Sequence, residues 1–145
     1  MRRFEQSGMS LIEMMVALAI VGLVLVVGLP AFMSSRQSSA LRGAADNIAS
    51  QVRMAREGAM STGIARPLHF SEDSLGFDYH IHDANGAVTV GWSLPRGVHF
   101  RTAATQGLVM LPSGLASNSL NLVLTNETGR LDSVTVQISG FILVH

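Results

Sequence analysis

The stretch GMSLIEMMVALAIVGLVLVVGLP, from Gly8 to Pro30, decides the fold of this chain. It contains 21 consecutive residues, 9–29, that are apolar except at Ser10 and Glu13. A helix needs about 20 such residues to cross the hydrocarbon core of a bilayer. The sequence therefore predicts a transmembrane helix at about residues 9–29, with one carboxylate close to its start.

Arginines near this run predict its orientation. Arg2 and Arg3 precede the run closely, whereas the next basic residue, Arg36, follows at a distance. The positive-inside rule then places the N-terminus in the cytoplasm and the bulk of the chain across the membrane. We expect a single-pass protein.

Two simpler readings of the apolar run remain open. Ala17-Leu18-Ala19 fits the small-residue pattern of a signal-peptide cleavage site, but ten more apolar residues follow it, and such a site belongs at the polar end of the run. A plain membrane anchor fits the length and the flanking charges. It leaves Glu13 unexplained, because a carboxylate near the middle of a membrane helix costs about 2.5–3.5 kcal/mol, and less near its end.

Cleavage between Gly8 and Met9 would explain the carboxylate. Glu13 would then be the fifth residue of the mature chain, about one helical turn from a new α-amino group. A carboxylate there favours the positive end of the helix dipole and can pair with an amine, its own or a neighbouring subunit's. A paired charge is tolerated in an apolar setting where an unpaired one is not. Glu13 is therefore a candidate assembly residue.

The same residues resemble the class III leader and N-terminal helix of type IV pilins and type II secretion pseudopilins. The usual pattern is G, then F-T-L-[IV]-E, then an apolar run that ends near a proline. The positions that match are Gly8, Leu11, Ile12, Glu13 and Pro30, whereas Met9 replaces Phe and Ser10 replaces Thr. The resemblance implies that residues 1–8 are a leader, that prepilin peptidase cuts after Gly8, and that Met9 is N-methylated.

Helical patterning continues beyond Pro30, where the missing backbone N–H predicts a kink. Apolar residues recur at steps of three or four and form one stripe: Leu41, Ala45, Ile48, Val52, Ala55 and Ala59. The opposite face carries Arg42, Asp46, Arg53 and Glu57. Gly63 is a typical helix terminator. We expect one long helix within residues 9–63, ending at about Thr62.

Residues 64–145 predict an antiparallel β domain. In GFDYHIH the aromatic and polar residues alternate, and an Asn85-Gly86 turn followed by AVTVGW completes a β-hairpin over residues 76–92. The further strand candidates are Ala65–Phe70, Val98–Arg101, Leu108–Leu111, Leu120–Thr125, Val134–Ile138 and Phe141–Val144. The expected fold class is α+β, with one long N-terminal helix packed on an antiparallel β-sheet domain.

This half of the chain resembles the minor pilins and pseudopilins of the GspH/FimT type. In that family the helix ends in A-R-x-x-A-x-x-x-G, which Ala55, Arg56, Ala59 and Gly63 match. The paired-hairpin ending of the family is matched by Gly114, Leu122, Leu124, Gly129, Arg130, Val134, Val136 and Gly140. The resemblance implies a pilin-like fold over nearly the whole chain.

The resemblance also implies a function and a location. We expect a minor pseudopilin of a type II secretion system in the bacterial inner membrane, with its β domain in the periplasm. Its expected partners are other minor pseudopilins, the major pseudopilin, prepilin peptidase and exported proteins. The alternative is a minor subunit of a type IV pilus that serves adhesion, motility or DNA uptake.

The composition argues against an enzyme. The chain has no Cys and no G-x-S-x-G, H-E-x-x-H or P-loop pattern, so we assign no catalytic residue and no cofactor. Asp78, His80 and His82 alternate along one predicted strand and share a face, which leaves open a metal site against a merely solvated face. We assign no metal ligand, and we treat His69, His99 and His145 as isolated.

Charge argues against DNA as a partner. Ten Arg, no Lys and ten acidic residues give zero net charge, whereas phosphate neutralisation needs surplus cations. Some FimT-like pilins are held to bind DNA through a C-terminal G-R-x-R motif. The corresponding residues here are Gly129-Arg130-Leu131-Asp132, which place an acid at the second arginine position.

Overall fold

The computed structural model describes residues 10–70, 76–83, 85–101 and 106–145, without the side chains of residues 27, 29–31 and 106. The predicted cleavage residues Gly8 and Met9 lie outside these residues. One helix, α1 (Leu11–Thr62), precedes eight strands. The strands are β1 (Arg66–Phe70), β2 (Tyr79–His82), β3 (Val88–Trp92), β4 (Val98–Phe100), β5 (Gln106–Met110), β6 (Leu120–Asn126), β7 (Leu131–Val136) and β8 (Ile142–Val144).

Both ends of α1 have local causes. Ser10 precedes the first helical residue, and its Oγ accepts a hydrogen bond from the Ile12 N–H (3.3 Å), which satisfies one free donor of the first turn. Gly63 follows the last residue with φ = 70°, and its N–H donates to the Ala59 carbonyl (3.0 Å). A left-handed glycine is a common helix terminator, so the predicted end at Gly63 is confirmed. The helix assignment runs through Pro30, and the kink there stays a prediction.

The chain divides into two units, residues 1–36 and residues 37–145. In the described part of the first unit, α1 makes local contacts such as the Arg36 guanidinium carbon 6.0 Å from the centre of the Phe32 ring. No helix within the described residues is long and apolar enough to cross a membrane.

In the second unit, α1 buries one face against the strands. All six residues of the predicted stripe are buried, and Ala44 and Ala49 are buried with them. The four charged residues predicted for the opposite face are exposed. Small alanines predominate on the buried face, which lets the helix approach the sheets closely.

The strands form two antiparallel four-stranded sheets. Sheet 1 has the order β3-β2-β1-β5, and sheet 2 has the order β4-β6-β7-β8. One core cluster joins both sheets to α1, and its largest fully buried side chains are Ile48, Leu68, Leu108, Met110, Leu124, Val52, Val134 and Val136. An isolated antiparallel bridge between Met110 and Ala116 extends sheet 1 beyond β5. The predicted α+β class is therefore confirmed.

The predicted hairpin over residues 76–92 is present as β2 and β3. The predicted start of the seventh strand at Val134 is wrong, because β7 begins at Leu131 and pairs this residue with Thr125. The polar sequence TNETGRLDS resembles a long loop, yet the turn is short. The Asn126 Oδ1 accepts hydrogen bonds from Thr128 Oγ1 (2.8 Å) and the Arg130 N–H (2.9 Å). These bonds close the reversal locally, so the strand resumes after Gly129.

Candidate assembly surfaces

The first unit presents a continuous apolar surface. Every described side chain from residue 11 to residue 26 is exposed, including Leu11 (80 %), Leu23 (71 %) and Val26 (75 %). Apolar patches of this extent on a soluble subunit mark sites that another apolar surface covers. The covering surface must be lipid or other apolar side chains.

Glu13 lies in the first turn of this helix, three residues after the capping Ser10, and it is exposed. Ser-x-x-Glu is the spacing of a capping box, so the sequence carries a helix-start signal at Ser10. The carboxylate lies at the positive end of the helix dipole, as expected for a residue at this position. The first basic residue after Glu13 in the sequence is Arg36, so the following helix turns offer no cation along the chain.

The turn between β6 and β7 contacts α1 in the second unit. The Arg130 Nη1 donates to the Ser38 Oγ (2.6 Å), and the Gln37 Nε2 donates to the Glu127 Oε2 (3.4 Å). A cavity of about 270 Å³ opens beside these contacts and is lined by Ser38, Leu41, Arg42, Arg130, Leu131 and Asp132. Asp132 thus lines the same cavity as Arg42 and Arg130. Of these two arginines, Arg130 also donates a hydrogen bond to Ser38 of α1.

Arg56 joins α1 to two turns of the β domain. Its Nε donates to the Gly114 carbonyl oxygen (2.9 Å). Gly140, in the turn before β8, has φ = 77°, and a Cβ there would overlap the Gly114 oxygen and come within 2.8 Å of the Arg56 Nε. The helix motif and the C-terminal glycines that carry the family resemblance therefore meet at one place. Only glycine at position 140 leaves room for the arginine.

Three histidines lie together on the face of sheet 1 that is turned away from the core. His69 in β1 pairs with His80 in β2, and the ring centres of His69 and His82 are 4.7 Å apart. The reading of His69 as isolated is therefore wrong, because antiparallel pairing brings β1 beside β2. Partial burial, and then the neighbouring His82 and His80, lower the pKa of His69 below its usual 6.5.

Asp78 does not join the two histidines as the strand pattern indicated. It precedes β2, and its Oδ2 accepts a hydrogen bond from the Leu94 N–H (2.6 Å). Among the described residues, no group of three His, Cys, Asp or Glu side chains is arranged to hold a metal ion as it stands.

A known protein-family model matches the N-terminal part of the chain. Residues 3–29 match the model of the prokaryotic N-terminal methylation motif. Comparison with curated proteins gives no significant match.

Two solved structures share the fold. The minor pseudopilin EpsH from the Type 2 Secretion System of Vibrio cholerae is similar with a TM-score of 0.56 and 16 % identity, over 72 % of this chain and 95 % of that one. The type IV minor pilin FimU of Pseudomonas aeruginosa is similar with a TM-score of 0.58 and 16 % identity, over 78 % and 92 %. At this identity the likeness shows the fold alone. The chain thus joins an N-terminal methylation motif to the fold that these two structures share.

Proposed function

We propose that this chain is a minor pseudopilin of a type II protein secretion system, a non-enzymatic subunit of the pseudopilus that drives export of folded proteins. The observation that carries the filament-subunit part of the proposal is the exposed apolar surface of residues 11–26, directly inside the methylation motif at residues 3–29. A subunit with such a surface needs an apolar environment both before and after assembly. A filament of packed helices supplies the apolar environment that the subunit needs after assembly.

Before assembly, the chain is anchored in the inner membrane by residues 9–29, with the β domain in the periplasm. The support comes from the sequence: the 21-residue run, which includes residues 9, 27 and 29 that the structure does not fully describe, and the arginines ahead of it. On extraction, apolar helices of neighbouring subunits replace lipid around the same surface. Burial of apolar area contributes about 25 cal/mol per Å² where water would otherwise contact it, so a partly extracted subunit is driven to dock.

Processing supplies the partner for Glu13. Prepilin peptidase cuts after Gly8, and the new N-terminus at Met9 is methylated but keeps its charge. Since Glu13 sits one turn from that terminus, its carboxylate pairs with the amine of its own or a neighbouring chain once water is excluded. An unpaired carboxylate among apolar helices costs several kcal/mol, so the pair sets the register of one helix against the next.

The β domain faces the other subunits. We propose that it joins a tip complex with other minor pseudopilins, above the major pseudopilin, where it contacts exported proteins. The fold likeness to EpsH, a minor pseudopilin of a Type 2 Secretion System, supports a place in the pseudopilus.

A minor pilin of a type IV pilus is the second candidate, and the equal likeness to FimU favours it. Secretion and pilus subunits need the same exposed helix and the same processed terminus, so these features do not separate the two. The two functions differ in what the filament does once it is built.

The experiment that separates them is the secreted proteome of a strain lacking this gene, compared with its parent and with a complemented strain. Accumulation of folded exoproteins in the periplasm is expected, with rescue by the wild-type gene. Unchanged secretion together with lost surface motility or DNA uptake would contradict the secretion function and favour the pilus.

A further inference from the structure

The three histidines on the outer face of sheet 1 have a defined internal geometry. The His80 Nε2 and His82 Nε2 atoms are 2.9 Å apart, and the centres of these two rings are 4.7 Å apart. The His69 ring centre lies 4.7 Å from that of His82 and 5.6 Å from that of His80. Two strands that pair residue for residue thus bring three imidazoles into mutual contact.

Hydrogen bonding fixes the tautomer of one of these rings. The His82 Nδ1 lies 2.8 Å from the Gly86 carbonyl oxygen, which can only accept, so Nδ1 carries the hydrogen. In neutral His82 the lone pair is then on Nε2, and the His80 Nε2 donates to it. A ring that donates from one nitrogen to a backbone carbonyl and offers its other nitrogen is the usual arrangement of a metal-binding histidine.

The spacing of the rings also fits a metal ion. Imidazole nitrogens bind Zn²⁺ at about 2.0–2.1 Å, which in a tetrahedral site places neighbouring ring centres about 5 Å apart. The three observed separations lie on either side of this value, but the His69 and His80 rings are stacked nearly parallel, at 8°, so their in-plane lone pairs converge on one ion only after the His69 ring rotates. The His80 and His82 Nε2 atoms are joined by a hydrogen bond of 2.9 Å, whereas two nitrogen ligands of one tetrahedral ion lie about 3.3 Å apart, so the two rings must separate slightly and turn toward the ion to bind it.

We propose that His69, His80 and His82 bind one divalent transition-metal ion of the zinc class, with water as the remaining ligand. As the side chains stand the set is incomplete, and rotation of the exposed His69 ring brings its nitrogen toward the other two. His80 then carries its hydrogen on Nδ1 and offers Nε2. Imidazole ligands suit Zn²⁺, Ni²⁺ and Cu²⁺ rather than Ca²⁺ or Mg²⁺.

A bound ion would cross-link neighbouring strands of the β domain. His69 belongs to β1 and the other two to β2, while Gly86, which holds His82, lies in the turn that leads to β3. A bound ion would therefore tie three consecutive strands of sheet 1 at one point. Because it binds the folded state only, it would raise the melting temperature as its concentration rises.

The test is isothermal titration of Zn²⁺ into the full chain, purified in detergent without a histidine tag and freed of metal with a chelator. His82→Ala and His69→Ala remove one ligand each at positions outside the apolar core. His99→Ala is the matched control, since His99 is exposed on β4 in the other sheet. Each variant is first shown to unfold cooperatively.

The expected result is one Zn²⁺ per chain, bound about tenfold or more weakly by His82→Ala and by His69→Ala and equally well by His99→Ala. The melting temperature of the wild type should rise with Zn²⁺, and that of His82→Ala should rise less. Failure of the folded wild-type chain to bind Zn²⁺, or unchanged affinity in either ligand variant, would overturn the proposal.

Discussion

Replacing Gly140 tests the contact between α1 and the turns of the β domain, and Gly129 provides a matched control. Both glycines have a left-handed backbone, with φ of 77° and 76°. A Cβ at position 129 meets no atom within 4 Å, whereas one at position 140 overlaps the Gly114 carbonyl oxygen and crowds Arg56. The two alanine variants therefore share a backbone cost and differ in sterics.

The loss of folding free energy can be worked out for each variant from its contacts. A left-handed alanine costs about 1–2 kcal/mol, which is the whole effect expected for Gly129→Ala. Gly140→Ala adds about 1–3 kcal/mol of overpacking, together with loss of the 2.9 Å bond from Arg56 to Gly114 if the arginine moves. We expect Gly140→Ala to be destabilised by about 1–4 kcal/mol more than Gly129→Ala, because the backbone cost is common to both variants.

Urea denaturation of the full chain in detergent measures this difference, since Trp92 is the one tryptophan and lies in β3 of the domain. Each variant's free energy of unfolding is compared with that of the wild type under one buffer. Equal destabilisation of the two variants would refute the steric reasoning and the role given to Arg56.

Three further predictions concern alkaline stability, assembly and DNA. Burial, with a smaller contribution from Asp78, raises the pKa of Tyr79 to about 12, and the chain has no Lys, no Cys and one Tyr. The folded state therefore holds the phenolic proton longer than the unfolded state, so stability should fall by up to about 2 kcal/mol between pH 10 and 12. Tyr79→Phe should lose this dependence in urea denaturation, and a slope equal to that of the wild type would contradict the assignment. Glu13→Ala should insert and be cleaved but enter filaments poorly; normal incorporation in sheared filament fractions would remove the role given to Glu13. Asp132→Arg should tighten DNA binding in a gel-shift titration if the cavity beside Arg130 faces the polymer, and unchanged affinity would show that it does not.

Local pattern predicted those parts of the fold that depend on nearby residues. The helical stripe from Leu41 to Ala59 follows from a 3.6-residue period, and the hairpin of β2 and β3 follows from alternation around Asn85-Gly86. The end of α1 at Gly63 follows from the freedom of glycine to adopt a positive φ. Each of these features is decided within a few residues of chain.

Long-range pairing was not predictable in this way. The β1 strand pairs with β5 as well as with β2, and the division into two sheets depends on such partners. His69 lies eleven residues before His80, so only the register of β1 against β2 brings the two rings together. The contact of Arg56 with Gly114 likewise spans 58 residues. Its signal in the sequence was the family pattern at Arg56, Gly114 and Gly140, without the geometry that explains it.

The start of β7 shows a different limit. The composition of residues 126–133 is typical of a loop, but the Asn126 side chain closes the turn with two hydrogen bonds. The carboxamide replaces backbone partners that the reversal leaves unmatched, so the strand begins three residues earlier than the polar sequence indicated. The Asn126 side chain sets that boundary together with two backbone hydrogen bonds of the turn, from the Gly129 N–H to the Asn126 carbonyl and from the Asn126 N–H to the Arg130 carbonyl.

If the exposed apolar helix belongs to a processed filament subunit, prepilin peptidase must create its N-terminus. The most direct measurement is the intact mass and N-terminal peptide of the chain recovered from membranes, with and without prepilin peptidase. We expect a chain that begins at N-methylated Met9 when the peptidase is present and keeps residues 1–8 when it is absent. A terminus elsewhere, or the same terminus without the peptidase, would contradict it.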